Sequence, residues 1–345
     1  MGRSKCAACA LVGAIAVLNQ ARAQDVAEFY KGKTITVLVS NDPGGGFDTY
    51  ARQIARYLPA HIPGNPAVVV QNMPGAGGTV GTNWIYAIGP RDGTVLGAVH
   101  PAALVEPILG DKNKVRYNPA RFNYIGSANS DVFVCVVRAD APAKTFADAF
   151  SKEVIVGAAG DAAALRDMPT LLNSVLGTKF KIIMGYNGSH AIQLAVEKGE
   201  LQGQCGVAWS GVLAVHPDWF SSGLVKPFVQ EEVNGYPTLN QMGVPKSVDF
   251  AKTPEQRAIL ELAYGYEVIG RPYLMAPEAP AERVTAMRKA FLDTLSDPVF
   301  LADASKMRLD IQLVSGEDVQ KHIAKLFATP AEIVEKTRKA IRPDG

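Results

Sequence analysis

Two glycine-rich loops about thirty residues apart, each set between a β-branched run and a helical pattern, constrain this chain more than any other feature. The run TITVLVS (Thr34–Ser40) reads as a buried strand, and NDPGGGFD (Asn41–Asp48) follows it as a loop. Beyond it Ala51, Ile54, Ala55 and Leu58 repeat at i, i+3, i+4, i+7, one apolar stripe of a helix. A second apolar run, AVVVQN (Ala67–Asn72), reads as another buried strand and leads into the loop MPGAGGT (Met73–Thr79) and a further helical pattern. Strands joined through a helix pair in parallel with a right-handed crossover, so both loops leave the sheet at its carboxyl edge, where open α/β sheets bind ligands.

Gly44, Gly45, Gly46, Gly75, Gly77 and Gly78 lack a Cβ, so the backbone there can turn left-handed and approach a ligand closely. Each loop runs into a helix start, where free N–H groups and the positive dipole end favour an anion. Two such ends on neighbouring strands can hold one carboxylate or phosphate between them. The alternative is a pair of tight turns.

The first 23 residues have the order of a secretory leader. Arg3 and Lys5 form a basic start, Ala7–Leu18 an apolar stretch, and Ala21–Ala23 a small-residue cleavage site, so the expected mature chain begins at Gln24 in the periplasm. The apolar stretch is short of the ~20 residues that span a bilayer. Losing Arg3, Lys5 and Arg22 moves the formal charge from +2 to −1, which offers no basic footprint for nucleic acid or a membrane surface. About 320 residues remain, enough for two domains with cores of their own. Cys135 and Cys205 also remain; in an oxidising compartment they either pair or stay as buried thiols.

Further along, VIVGAAGDAA (Val154–Ala163) repeats the strand, glycine loop and helix of the opening unit, and KFKIIMGYNGSH (Lys179–His190) is a strand ending in a polar loop. LVKPFVQ (Leu224–Gln230) reads as a strand crossing back to the first unit. Thr253-Pro254 opens a helix, Pro280 starts a long amphipathic helix, and two helices with solvated basic faces end the chain. The expected division is 1–23 signal peptide, 24–122 plus 225–345 first lobe, and 123–224 second lobe. Each lobe is an α/β unit, a mainly parallel sheet flanked by helices, with a ligand cleft between them.

Catalytic patterns are missing from the sequence. It holds no G-x-S-x-G elbow, no H-E-x-x-H and no G-x4-G-K-[ST]; its five histidines have no ligand spacing. Val80 stands where a dinucleotide fingerprint needs its third small residue. No cofactor, no metal and no enzymatic activity are expected.

The series K-x-I-T-x-L-V, P-G-G-G-F-D-x-x-A-R and V-V-V-Q-N-x-P-G-A-G-G behind a leader resembles the solute-binding receptors of tripartite tricarboxylate transporters, the Bug receptors. The resemblance runs on to P-E-A-P-A-E-R-V and A-T-P-A-E-I-V. It implies a two-lobed, type II-like periplasmic binding fold that closes over a small carboxylate, a di- or tricarboxylate or related organic acid, and works as a monomer with the transporter's membrane subunits. In the family, one ligand carboxylate is held by both first-lobe loops, largely through backbone N–H groups and bridging waters. Carried over, that implies Gly44, Gly45, Gly46, Asp48, Gly75, Ala76, Gly77 and Gly78, and in the second lobe Gly160, Asp161, Tyr186 and Gly188. The second-lobe loop departs from the family pattern: Gly157-Ala158-Ala159-Gly160-Asp161 has no serine, and Arg166 follows as either a partner for a second carboxylate or a surface residue. A periplasmic enzyme on the same scaffold, or a sensor handing its ligand state to a signalling partner, are the alternatives to a transport receptor. Asp48 either touches ligand or caps its helix.

Overall fold

The computed structural model describes residues 25–110, 112–159 and 163–343. The expected leader and its cut after Ala23, and the candidate residues Gly160 and Asp161, lie outside the described residues. The chain forms two compact units. One takes the described residues of Met1–Pro107, Asp111–Asn129 and Arg271–Ile323; the other takes Ile108–Gly110, Ser130–Gly270 and Ala324–Gly345.

The first unit is built on a six-stranded sheet of β1 (Thr34–Val39), β2 (Ala67–Asn72), β3 (Val95–Ala98), β4 (Asn123–Ser127), β10 (Pro272–Met275) and β11 (Val314–Ser315). Their order across the sheet is β11-β4-β10-β3-β1-β2. β1 pairs in parallel with both β2 and β3, whereas β10 runs antiparallel to β3 and β4. The helix Gly46–Tyr57 covers β1 with the expected stripe: Ala51, Ile54, Ala55 and Leu58 are buried against Ile35, Val37 and Val39. Truncating Ile54 to Ala would cost about 2–5 kcal/mol, as for any fully enclosed aliphatic side chain. β2 departs from its reading as a buried strand. It is an edge strand, its exposure alternates along its length, and Val69 is 42% exposed. A run of valines reports β-propensity, not whether a strand has neighbours on both sides.

The second unit has a five-stranded sheet of β5 (Phe133–Arg138), β6 (Val154–Gly157), β7 (Phe180–Ile183), β8 (Gly203–Ala208) and β9 (Val225–Glu231), in the order β7-β6-β8-β5-β9. β6 is parallel to β7 and β8; β5 is antiparallel to β8 and β9. Cys135 on β5 and Cys205 on β8 are joined by a disulfide, both fully buried. β9 corrects the division read from sequence. LVKPFVQ does not cross back near 224: it pairs along β5, and the chain returns to the first sheet only at Arg271. The terminal helix Ala331–Ile341 likewise belongs to the second unit, with Ile333, Ala340 and Ile341 packed on the core that holds Leu260 and Tyr264. Alternation of strands and helices reveals how many α/β units exist, but not which sheet an antiparallel returning strand joins.

Candidate functional site

Because β1, β2 and β3 are parallel neighbours, the loops after them emerge side by side. Ser40 ties the first of these to the third: its Oγ accepts a 2.8 Å hydrogen bond from the His100 amide. Asn72 ties the second to the first, its Nδ2 donating to Asn41 O at 3.0 Å and to Asp48 Oδ1 at 2.9 Å. The convergence at one sheet edge that the sequence implies is therefore present within this unit.

Asp48 is the knot. Its side chain is buried, Oδ2 accepts from the Gly44 amide (2.8 Å) and Arg52 Nε (2.8 Å), and Oδ1 accepts from Asn72. Burial pushes its pKa up, but the hydrogen bonds from Arg52, Gly44 and Asn72 outweigh that and hold it at about 2. Of the two expected alternatives, the helix cap is not what Asp48 forms. The residue preceding the helix is Gly45, and Asp48 reaches back past it to the Gly44 amide, so its carboxylate shapes the loop.

The glycines divide by conformation. Gly45 (φ −78°, ψ 173°) is ordinary extended backbone and Gly46 is the first helical residue, so neither is needed for a left-handed turn. The second loop differs: Gly75, Ala76, Gly77 and Gly78 have φ of 131°, 46°, 63° and 91°, four left-handed residues in succession. At Gly78 an added Cβ would lie 2.8 Å from both His100 Cβ and Ser40 Oγ, so the glycine also permits the loop to pack against its neighbours. A Cβ on Gly44 or Gly77 would meet nothing within 4 Å. Gly44–Gly46 and Gly75–Gly77 are exposed. The first intrahelical bond is Thr49 N to Gly45 O, so the amides of Gly46, Phe47 and Asp48 precede every helical acceptor. In the second loop Gly78 and Val80 donate back to Gly75 O, and Thr79 to Ala76 O.

Sequence reading passed over two residues here. The ring of His100 lies 4.8 Å from that of Phe47, and its Nδ1 accepts from the Ala102 amide at 3.2 Å. Burial, then the charge of Arg271, pushes its pKa down to about 4, so it is neutral at pH 7. Arg271 is the residue just before β10, over two hundred positions from the first loop and almost two hundred from the second. Its guanidinium carbon stands 4.1 Å from the centroid of Phe47 and 4.8 Å from that of Tyr50. Only the antiparallel pairing of β10 with β3 brings it to this edge, and nothing local in the sequence signals that.

In the second unit, Tyr186 and Gly188 follow β7 at the carboxyl edge of β6 and β7. Tyr186 is half-buried, with its amide pointing to Ala158 O at 3.4 Å; Gly188 (φ 80°) opens the helix Gly188–Glu197. Arg166 is engaged with its neighbour Asp167, Nε to Oδ1 at 2.8 Å.

Residues 35–202 match the family model described as the tripartite tricarboxylate transporter family receptor. The chain is 24% identical over 338 residues to the UPF0065 protein in the gbd 5′ region of Cupriavidus necator, which spans 96% of this chain and 94% of that one. It is 32% identical over 170 residues to the UPF0065 protein in the TAR-I ttuE-ttuC' intergenic region of Agrobacterium vitis, 47% of each chain, and so spans about half the length of that relative. Among solved structures it is similar to a TctC solute binding protein from Polaromonas, with TM-score 0.69 and 20% identity over 89% of this chain and 99% of that one. MatC from Rhodopseudomonas palustris, with bound malate, aligns at TM-score 0.56 and 17% identity, covering 90% and 99%. Another R. palustris protein, with adipate, aligns at 0.59 and 20%, covering 89% and 97%. The expected fold, two α/β lobes of a periplasmic binding protein, is borne out by these likenesses, but the sheets are mixed and not mainly parallel, because β10 and β11 in the first and β5 and β9 in the second pair antiparallel.

Proposed function

From the resemblance to tripartite tricarboxylate transporter receptors that holds over residues 35–202, we propose that this protein captures a small di- or tricarboxylate, or a related organic acid, for such a transporter's membrane subunits. The observation that carries the proposal is the meeting of two exposed glycine loops at the carboxyl edge of adjacent parallel strands, one with helix-start amides and one with four successive left-handed residues. Free helix-start amides beside the second loop suit a carboxylate, since each charge-assisted hydrogen bond is worth about 1.5–3 kcal/mol. Malate in one structural relative and adipate in another support this class of ligand. We read the chain as a receptor and not an enzyme, with the ligand carboxylate on Gly44–Gly46 and Gly75–Gly78.

We place it in the periplasm, cut after Ala23; mass spectrometry of a periplasmic extract should find Gln24 as the first residue, and an uncut N-terminus would overturn that assignment. The function is tested by a thermal-shift screen over mono-, di- and tricarboxylates, phosphate and amino acids. Ligand at a hundred times Kd adds about 2.7 kcal/mol to apparent stability. Stabilisation confined to the carboxylates is expected; stabilisation by phosphate or by none of the panel would overturn the proposal.

A further inference from the structure

Arg271 is a cation without a visible counter-charge. No hydrogen bond or ion pair joins its guanidinium to a carboxylate among the described residues, and its buried Nε has no acceptor. It lies beside the positive end of the helix Gly46–Tyr57, where an ideal Cβ on Gly46 would be 3.3 Å from Arg271 Nη2. A guanidinium at a helix start is disfavoured, because the helix dipole there already prefers an anion. Stacking on Phe47 and Tyr50 offsets part of this through cation–π attraction and fixes the plane of the group. Its backbone is held as well, by donation from Arg271 N to Ser127 Oγ at 3.0 Å and acceptance by Arg271 O from the Ala128 amide at 3.0 Å. His100, whose ring packs against Phe47, is neutral and carries no competing charge. Such a residue is a pre-positioned fork awaiting an anion.

We propose that Arg271 receives the ligand carboxylate directly, as the one cationic side chain of an anion site otherwise made of loop amides. This rests on the carboxylate-receptor reading above and gives it a fixed positive charge, so ligand charge is read by a side chain as well as by backbone. Phe47 and Tyr50 are positioning residues, acting through the guanidinium plane.

The test is calorimetry of wild type, Arg271→Gln and Arg271→Lys with the tightest carboxylate of a panel that includes malate and adipate, each variant checked by circular dichroism. Glutamine should lose about ten- to a hundredfold in affinity, the worth of one charge-assisted pair. Lysine keeps the charge but not the fork and should recover only part of the loss. Phe47→Leu, which removes the platform and leaves the charge, should fall between wild type and glutamine, and it decides the matter if the glutamine variant does not fold. Wild-type binding with all folded variants unchanged would overturn the role of Arg271 and leave the receptor intact. Failure of every carboxylate to bind wild type would overturn both.

Discussion

Replacing Asp48 measures what holds the first loop in shape. In the folded chain its pKa is about 2 against an ordinary 3.8, and that gap corresponds to roughly 2.5 kcal/mol favouring the ionised, folded form at pH 7. Arg52 is half exposed, so solvent screens its share, and about 2 kcal/mol is the expected loss for Asp48→Ala. Asparagine should not rescue it. Oδ2 faces two donors, Gly44 N and Arg52 Nε, while Oδ1 faces a third on Asn72, so an amide nitrogen in either place opposes another donor. An unmade buried donor costs about 1–3 kcal/mol. A depressed carboxylate pKa stabilises above the unfolded value and fades as pH falls towards the folded one. The gap between wild type and Asp48→Ala should therefore be full at pH 7 and roughly halved at pH 3. Urea unfolding at the two pH values gives both numbers, provided the m-values agree. An asparagine variant within 0.5 kcal/mol of wild type, or a gap that does not change with pH, would refute this account of the loop.

Three more outcomes are expected. Gly77→Val forces a branched side chain into φ 63° and should reduce both stability and carboxylate binding, whereas Gly45→Val, at φ −78°, should keep stability and lose binding only; calorimetry with thermal melts separates them, and equal stability losses would be wrong for this geometry. Thiol labelling of unreduced, denatured protein should find Cys135 and Cys205 unreactive, and Cys205→Ser should lose about 2–4 kcal/mol for opening a link across 70 residues; two reactive thiols would refute the bond. Glu231, with Oε1 3.2 Å from Cys135 Sγ and Oε2 accepting from the Gly206 amide at 2.8 Å, has its pKa pushed by burial up to about 8. A raised carboxyl pKa costs stability as pH rises from near 4.5 through 8, so wild type should weaken more steeply over that range than Glu231→Gln in denaturant titrations; parallel pH profiles would contradict it.

The opening unit was legible because its signals are local. The stripe on the helix Gly46–Tyr57, the strand before it and both loops follow from spacing within fifty residues. The site was half legible for the same reason. Loop glycines announce themselves, but the role of Asp48 depends on Asn72 from another strand, and Arg271 reaches the edge only through an antiparallel return from far along the chain. Glycine content also overstates backbone need: Gly45 is spelled like Gly77 yet sits in extended backbone that any residue adopts. The boundaries failed where the chain re-enters a sheet, since β9 reads the same whichever sheet it joins.

The packing of the last helix has a consequence for biosynthesis. Ile333, Ala340 and Ile341 complete a core whose other members, from Cys135 to Tyr264, were made long before, and Lys336 closes on Glu255 at 2.6 Å. The second unit therefore stays unfinished until the helix Ala331–Ile341, far beyond Tyr264 in the chain, has been made. A chain cut one helix short would carry an uncovered apolar face for chaperones and proteases to recognise.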